Sequence, residues 1–434
     1  MTQQDPRRRK QARHAKRNKA RRRIRGMLLR VLLIAAILAA AAGGVYLFLS
    51  RGDAPSTEPV ETGAEPVQTQ PVQTEPEEPK TGTTVIHVAA AGDLNVTDYV
   101  LESAAHENGY DFSQTFLDVA PIFSGADLAL LNFEGNLSGG TYGYATGAAP
   151  LELPKALKAI GIDAVQTANS AAIRQGVSGL VATLDAFERV GLTALGTFAD
   201  TDDFRKSGGY EIVEVEGIRI ALIAFTKGMD NLGLPAGSEN CVNLLYEDYS
   251  TDYKKVNTDG IGKVLRNVAE EQPDLTIAMV HWGSEYNDEH PSTMKKIRNQ
   301  LLDGGVDIIL GTHPHMVQEI EYDPVKKTLV AWSLGDFFGD AVMAGTNYSI
   351  IVDLEITRDH ASGEVFLSGY EYIPIFTLKP EESAAGGHRV VRIREAMERY
   401  EQNYVGRISE DAYGDMEYAL ERIEKRVNPP KDNK

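Results

Sequence analysis

Acidic and imidazole side chains recur in this chain where an apolar run has just ended. Gly92-Asp93-Leu94-Asn95 follows TVIHVAAA, Asn132-Phe133-Glu134-Gly135-Asn136 follows LALL, and Thr167-Ala168-Asn169-Ser170-Ala171 follows AVQ. Further along, His281-Trp282-Gly283-Ser284-Glu285-Tyr286 follows LTIAMV, and Gly311-Thr312-His313-Pro314-His315 follows DIIL. The chain has nine histidines, and His281, His313 and His315 fall at two consecutive run ends within 35 residues. Carboxylates and imidazoles brought together from separate strand ends are the donor set of a dinuclear site for Zn, Mn or Fe. Such a site needs hard-to-borderline ligands, a bridging carboxylate and open positions for water. Each element alone has a plainer reading: Asp93 as turn chemistry, Glu134 as a cap or ion-pair partner, His281 as a half-buried ring beside Trp282. His-Pro-His is the stronger signal, because Pro314 fixes the backbone between two side chains. In this order, and all at strand ends, the metal-binding reading outweighs the plainer ones.

Such a site needs a scaffold that aligns strand ends. Short β-branched runs at 84–91, 128–133, 164–168 and 192–196, a hairpin-like pair over 210–225, and runs at 275–282, 307–313 and 328–336 read as strands. Helical patterns at 151–160, 176–190, 258–271 and 292–303 fall between them. Alternation of this kind predicts an α/β fold built largely from βα units, with its chemistry beyond the C-terminal strand ends. Runs at 348–356 and 365–376 suggest a second sheet, and hence a layered sandwich. Apolar residues at helical spacing from 388 to 427 predict terminal helices packed on the domain; a helix pair that binds a partner is the alternative.

Composition assigns the rest of the chain. Of 434 residues, 42% are hydrophobic and 24% charged, which excludes a disordered or collagen-like polymer. The net charge of -18 averages unlike parts: residues 1–30 carry 13 Lys and Arg against Asp5 alone. An uncharged apolar run, Val31 to Leu49, follows. At ~1.5 Å per residue it is just long enough to span a hydrocarbon core of ~30 Å. The basic flank predicts a single-pass signal anchor over 31–50, with 1–30 cytoplasmic and the remainder outside. Cleavage after Ala39 to Ala41 is the competing reading. Residues 51–82, rich in Pro, Glu and Thr, predict a disordered linker that holds the domain off the membrane. The domain follows over 83–427, with a polar tail at 428–434; beyond the stalk the chain has 54 acidic and 29 basic side chains. That charge excludes a general nucleic-acid receptor. The single cysteine, Cys241, excludes an intrachain disulfide and a cysteine-based metal site.

The stretches HWGSEYNDEHPSTMKKIRNQLLDGGVDIILGTHPHMVQEIEY (281–322), WSLGDFFGD (332–340), AAAGDLN and LNFEGNLS resemble the sequence blocks of the bacterial capsule-synthesis CapA family over roughly residues 85–340. That family is named for poly-γ-glutamate capsule production. Its fold is similar to that of calcineurin-like metallophosphoesterases, which implies an α/β/β/α sandwich. The resemblance implies Asp93 as a terminal metal ligand, Glu134 as the carboxylate between two metals, and His281, His313 and His315 as imidazole ligands. It also implies work on a cell-envelope polymer or its precursor, with capsule-assembly membrane proteins as candidate partners.

Two departures from the family pattern bear on catalysis. Where the family reads Asn-Asn-His-x-x-Asp-x-Gly, this chain reads Asn169-Ser170-Ala171-Ala172-Ile173-Arg174-Gln175-Gly176, which replaces an amide ligand, an imidazole and an acid. Asp336 stands where the family has Asn, either compensating or pairing with Arg174. Loss of one preorganised charge-stabilising donor costs about 2–4 kcal/mol of transition-state stabilisation, or about a hundredfold to a thousandfold in rate. Arg174 and Asp336 are the remaining catalytic candidates, and Asn169, Arg174 and Glu285 the candidates for holding substrate. Two functions fit these residues: a tethered exopolymer-assembly component whose metal-site cleft binds polymer, precursor or partner, and a metal-dependent hydrolase or phosphoesterase acting on a cell-envelope substrate.

Overall fold

The computed structural model describes residues 81–384, 386–403 and 407–429. The basic segment, the apolar run at 31–50 and nearly all of the linker lie outside these residues, as does most of the polar tail. Among the described residues no helix is long and apolar enough to cross a membrane.

Two sheets lie face to face. The first is built on Thr83–Asn95, which pairs in parallel with Leu128–Glu134; Ala164–Gln166 and Thr193–Leu195 continue that side. On its other side Tyr348–Asp359, Val365–Leu378 and Arg389–Arg392 add antiparallel strands, and short Asp336–Phe338 pairs with the end of Thr83–Asn95. The second sheet runs Ile320–Asp323, Thr328–Ala331, Ile308–Thr312, Leu275–His281, Ile218–Thr226, Glu211–Val215, and its four central strands are parallel. Aliphatic side chains of both sheets, among them Val88, Leu130, Leu222, Ile277, Leu310 and Val352, form the core between them.

Each sheet also buries an outer face under helices. Phe116, Phe123, Leu153, Leu157 and Phe187 cover the first. Ile261, Val264, Leu265 and Val268 of Thr258–Glu271 cover the second, together with Met294, Ile297 and Leu301 of Ser292–Asp303. Their i, i+3, i+4, i+7 spacing is the apolar stripe of a helix lying on a sheet. The architecture is a mixed α/β sandwich in four layers. Helices Ile393–Glu401 and Glu410–Val427 pack into the central core through Ile393, Met416, Ala419, Ile423 and Val427, as terminal helices covering the domain.

One expectation is corrected. The strands at 348–359 and 365–378 do not make the second sheet; they extend the first. Tyr348–Asp359 pairs antiparallel with Thr83–Asn95 along nine residues, and its alternate residues Ile350, Val352, Leu354 and Ile356 enter the central core. Alternation specifies which face of a strand is buried but not which sheet it joins.

Candidate metal centre

All parallel strands of both sheets end at one rim, and the residues there come from both sheets. Asp93 sits opposite Asn132 and Asp336 in register. Close backbone approach sets this junction. A Cβ on Gly92 would stand 1.9 Å from the Gly335 carbonyl oxygen, and a Cβ on Gly311 1.9 Å from that of Trp332. His313 and His315 have φ of 92° and 59°, left-handed values that non-glycine residues adopt at a cost of about 1–3 kcal/mol. The strain lies in the backbone of the two residues that bring imidazoles to the rim.

Asp93 is fully buried. Its carboxylate accepts from Asn132 Nδ2 at 2.5 Å and from the His313 backbone amide at 3.0 Å. Burial pushes its pKa up to about 6, against the opposing pull of His315. Glu134 is driven further, to about 8, by burial and then, against the pull of His315, by the charge of Asp93. Its Oε2 is buried without a hydrogen-bond partner among the described residues, and its Oε1 lies 3.7 Å from His281 Nε2.

The tautomer of His281 follows from its neighbours. Gln166 Nε2 donates to the Ala168 and Phe225 carbonyls, which leaves Gln166 Oε1 to accept from the Thr312 hydroxyl at 3.1 Å. Thr312 Oγ1 therefore accepts from His281 Nδ1 at 3.1 Å. The Nε2 lone pair then faces the cleft, where the Ser170 amide and hydroxyl meet it at 3.3 and 3.0 Å. An oriented imidazole with its second nitrogen hydrogen-bonded is what a metal-ligating histidine requires. Burial, then the charges of His315 and Lys227, hold His281 well below the usual imidazole range, so it is neutral.

His313 is neutral for similar reasons, burial first and then His281 and Lys227, and its Nδ1 is buried without a partner among the described residues. His315 behaves oppositely. Burial works against its charge, but Asp336, Asp93 and Glu134 together outweigh it and raise its pKa well above the usual value. Its Nδ1 pairs with Asp336 Oδ1 at 2.8 Å, and Tyr286 lies over its ring at 5.6 Å.

These residues fit a divalent cation. One ligand atom from each member lies within 4.8 Å of the others in three groups: Glu134, His281, His313; Asp93, His315, Asp336; and Glu285, His313, His315. Buried Glu134 Oε2 and His313 Nδ1 have no partner among the described residues, and carboxylates pushed upward by burial are short of nearby positive charge. A bound ion would supply Lewis acidity, or a water of lowered pKa, at this rim.

The structure gathers all five expected ligands, Asp93, Glu134, His281, His313 and His315, and adds Asp336 and Glu285. Asp336 pairs with His315 rather than with Arg174. It is buried on the strand beside Asp93, whereas Arg174 is partly exposed and finds Asp230 at 2.7 Å. Asn169 is wholly buried. Its amide nitrogen donates to Asn132 Oδ1 and the Phe133 carbonyl, and its Oδ1 accepts from the Ala171 amide, so it braces the rim from within and presents nothing to a substrate. Ala171, at the position of the family imidazole, is buried and offers no polar side-chain atom.

Lys227 lies at the centre unforeseen. It follows the strand Ile218–Thr226, and its Nζ donates to the Gly283 carbonyl at 2.7 Å and stands 3.3 Å from His313 Nε2. The available signal was positional, since Lys227 follows a parallel strand as the other site residues do.

A family model described as "Bacterial capsule synthesis protein PGA_cap" matches residues 87–341. The chain is 28% identical over 294 residues to the PGA biosynthesis protein CapA of Bacillus subtilis (strain 168), covering 65% of this chain and 72% of that protein. It is 27% identical over 314 residues to the capsule biosynthesis protein CapA of Bacillus anthracis, covering 69% and 71%. Among solved structures, a novel phosphatase of Mycoplasma pneumoniae superposes with a TM-score of 0.42 at 18% identity, covering 68% of this chain and 95% of that one. A calcineurin-like phosphoesterase of Bacillus subtilis gives a TM-score of 0.40 at 14% identity, covering 68% and 91%.

Proposed function

The chain belongs to the PGA_cap family of bacterial capsule synthesis proteins, and from that premise we propose that it is a membrane-anchored component of exopolymer assembly or export that works outside the cytoplasmic membrane. Its ligand would be a cell-envelope polymer of the poly-γ-glutamate type, or a precursor of one, bound at the metal centre. The apolar run Val31 to Leu49 with its basic flank supports the anchor, and the acidic proline-rich linker supports reach from the membrane.

The observation that carries a binding role is the pairing of a retained donor set with a missing proton donor. Asp93, Glu134, His281, His313 and His315 converge, but Ala171 supplies no imidazole and Arg174 is tied to Asp230. An acidic domain repels an anionic polymer unless a bound cation bridges the two. A divalent ion, Mn, Zn or Fe, held by protein carboxylates and imidazoles with coordination positions left open would do this. The chain's own part is to fix the neutral tautomer of His281 through Thr312 and Gln166, and to present Glu285 and Arg174 at the mouth.

The second reading, a metal-dependent hydrolase or phosphoesterase, is favoured by the retained carboxylate and imidazole donors and by Lys227, a cation beside His313. Metal loading followed by turnover assays separates the two. The binding reading expects metal uptake and no hydrolysis of phosphodiester or γ-glutamyl substrates by the wild type, with activity emerging in Ser170→Asn/Ala171→His. Hydrolysis by the wild type would establish the second reading.

A further inference from the structure

Lys227 changes what the centre can hold. Its ammonium is fixed by the Gly283 carbonyl at 2.7 Å, His313 Nε2 at 3.3 Å and the face of Tyr253 at 4.6 Å. No carboxylate lies within ion-pair distance of it among the described residues. An ammonium only donates, so His313 Nε2 must offer its lone pair, and the neutral ring then carries its proton on Nδ1.

A metal ion needs the lone pair of one His313 nitrogen. At Nε2 it would contend with the ammonium for the same lone pair. At Nδ1 it would move the ring proton to Nε2, where proton and ammonium would meet donor to donor. By either nitrogen, a metal on His313 and the ammonium at its present place exclude one another. Two of the three donor groups contain His313; Asp93, His315 and Asp336 form the one that does not.

We propose that Lys227 is a built-in monovalent cation standing in for one of two metals, so that the centre holds one divalent ion tightly among Asp93, His315 and Asp336, where the ion displaces to solvent the proton that now joins His315 to Asp336, and admits a second only when Lys227 leaves His313. This rests on the metal-centre reading above and deepens it. The centre is thereby an asymmetric one, with a fixed positive charge on the His313 side facing an anionic ligand.

The test is ion counting by equilibrium dialysis with elemental analysis, using the full chain and Mn or Zn as the only added ion. The wild type should bind one ion tightly and a second about ten- to a hundredfold more weakly, the size of a charge-assisted hydrogen bond that must first be broken. Lys227→Met should bind two ions with similar affinity, and Lys227→Arg should stay at one. Should Lys227→Met fail to fold, amine acetylation of the wild type read by mass spectrometry decides: Lys227 should be protected with one ion bound and become reactive as the second enters. Equal second-ion affinity in the wild type and Lys227→Met, or unchanged protection of Lys227, overturns the proposal while the metal centre stands. Absence of bound metal from both chains overturns the proposal and the metal-centre reading together.

Discussion

The backbone amide of His313 donates to the buried carboxylate of Asp93 at 3.0 Å, joining residues 220 positions apart in sequence. Asp93 lies near the end of the central strand of the first sheet and His313 follows a strand of the second, so this bond ties the sheets at the rim where the donors converge. Asp93 thus has a structural duty besides any to a metal.

Separating those duties gives the first prediction. Asp93→Ala leaves Asn132 Nδ2 and the His313 amide without their acceptor, each buried orphan costing about 1–3 kcal/mol. Asp93→Asn keeps an acceptor oxygen. Urea melts should place Asp93→Ala clearly below Asp93→Asn; equal loss in both would show that the hydrogen bonds contribute nothing.

Backbone contact at the rim gives the second. Gly311→Ala would put a Cβ 1.9 Å from the Trp332 carbonyl oxygen, in a place where no side chain can move aside. Gly414, inside the helix Glu410–Val427, has open space around it. Gly311→Ala should destabilise by more than about 3 kcal/mol, and Gly414→Ala should stabilise by about 0.5–1 kcal/mol. A tolerated Gly311→Ala, with an unchanged melting temperature, speaks against the close approach that sets the junction.

A third concerns pH. Burial raises Asp307 to about 6 although it accepts from the Thr276 amide, while the unfolded group stays near 3.8. Between those values the folded state binds the extra proton, so this group's contribution favours folding at low pH and is lost as pH rises through about 6. Asp307→Asn removes the titration. The stability of the wild type relative to Asp307→Asn should therefore rise by on the order of 2 kcal/mol between pH 7 and pH 4. Chemical denaturation at the two pH values measures it, and a flat or opposite difference contradicts the assignment.

The fourth prediction separates stability from binding at the mouth. The Arg174–Asp230 pair is partly exposed, so Arg174→Gln should cost less than about 1 kcal/mol in folding. Titration with a γ-linked glutamate oligomer in the presence of Mn should show binding weakened several-fold. Unaltered affinity would remove Arg174 from the ligand site.

Much of this was legible in the residues. Runs such as LALLNFE and LTIAMVH are buried on both faces between parallel neighbours, and such strands announce themselves by unbroken apolarity. The five candidate ligands stood out because they end those runs. Sheet membership of 348–359 and 365–378 was not legible, since partner choice lies in contacts distant in sequence. Helices Asp98–Ala104, Ala120–Gly125 and Thr201–Ser207 are too short to display a period. Asn169 read as a substrate contact because an amide at a strand end looks alike facing in or out. A lone lysine after a strand usually points to water, and only the fold puts the Lys227 ammonium beside His313.

Whether the rim is a metal centre is decided by the metal content of the full chain. After equilibration with Mn or Zn and removal of free ion, the wild type should retain at least one ion per chain, and Asp93→Asn/His315→Ala, folded by circular dichroism, should retain none. A wild-type chain that retains no ion, or a double variant that retains as much as the wild type, would contradict the account.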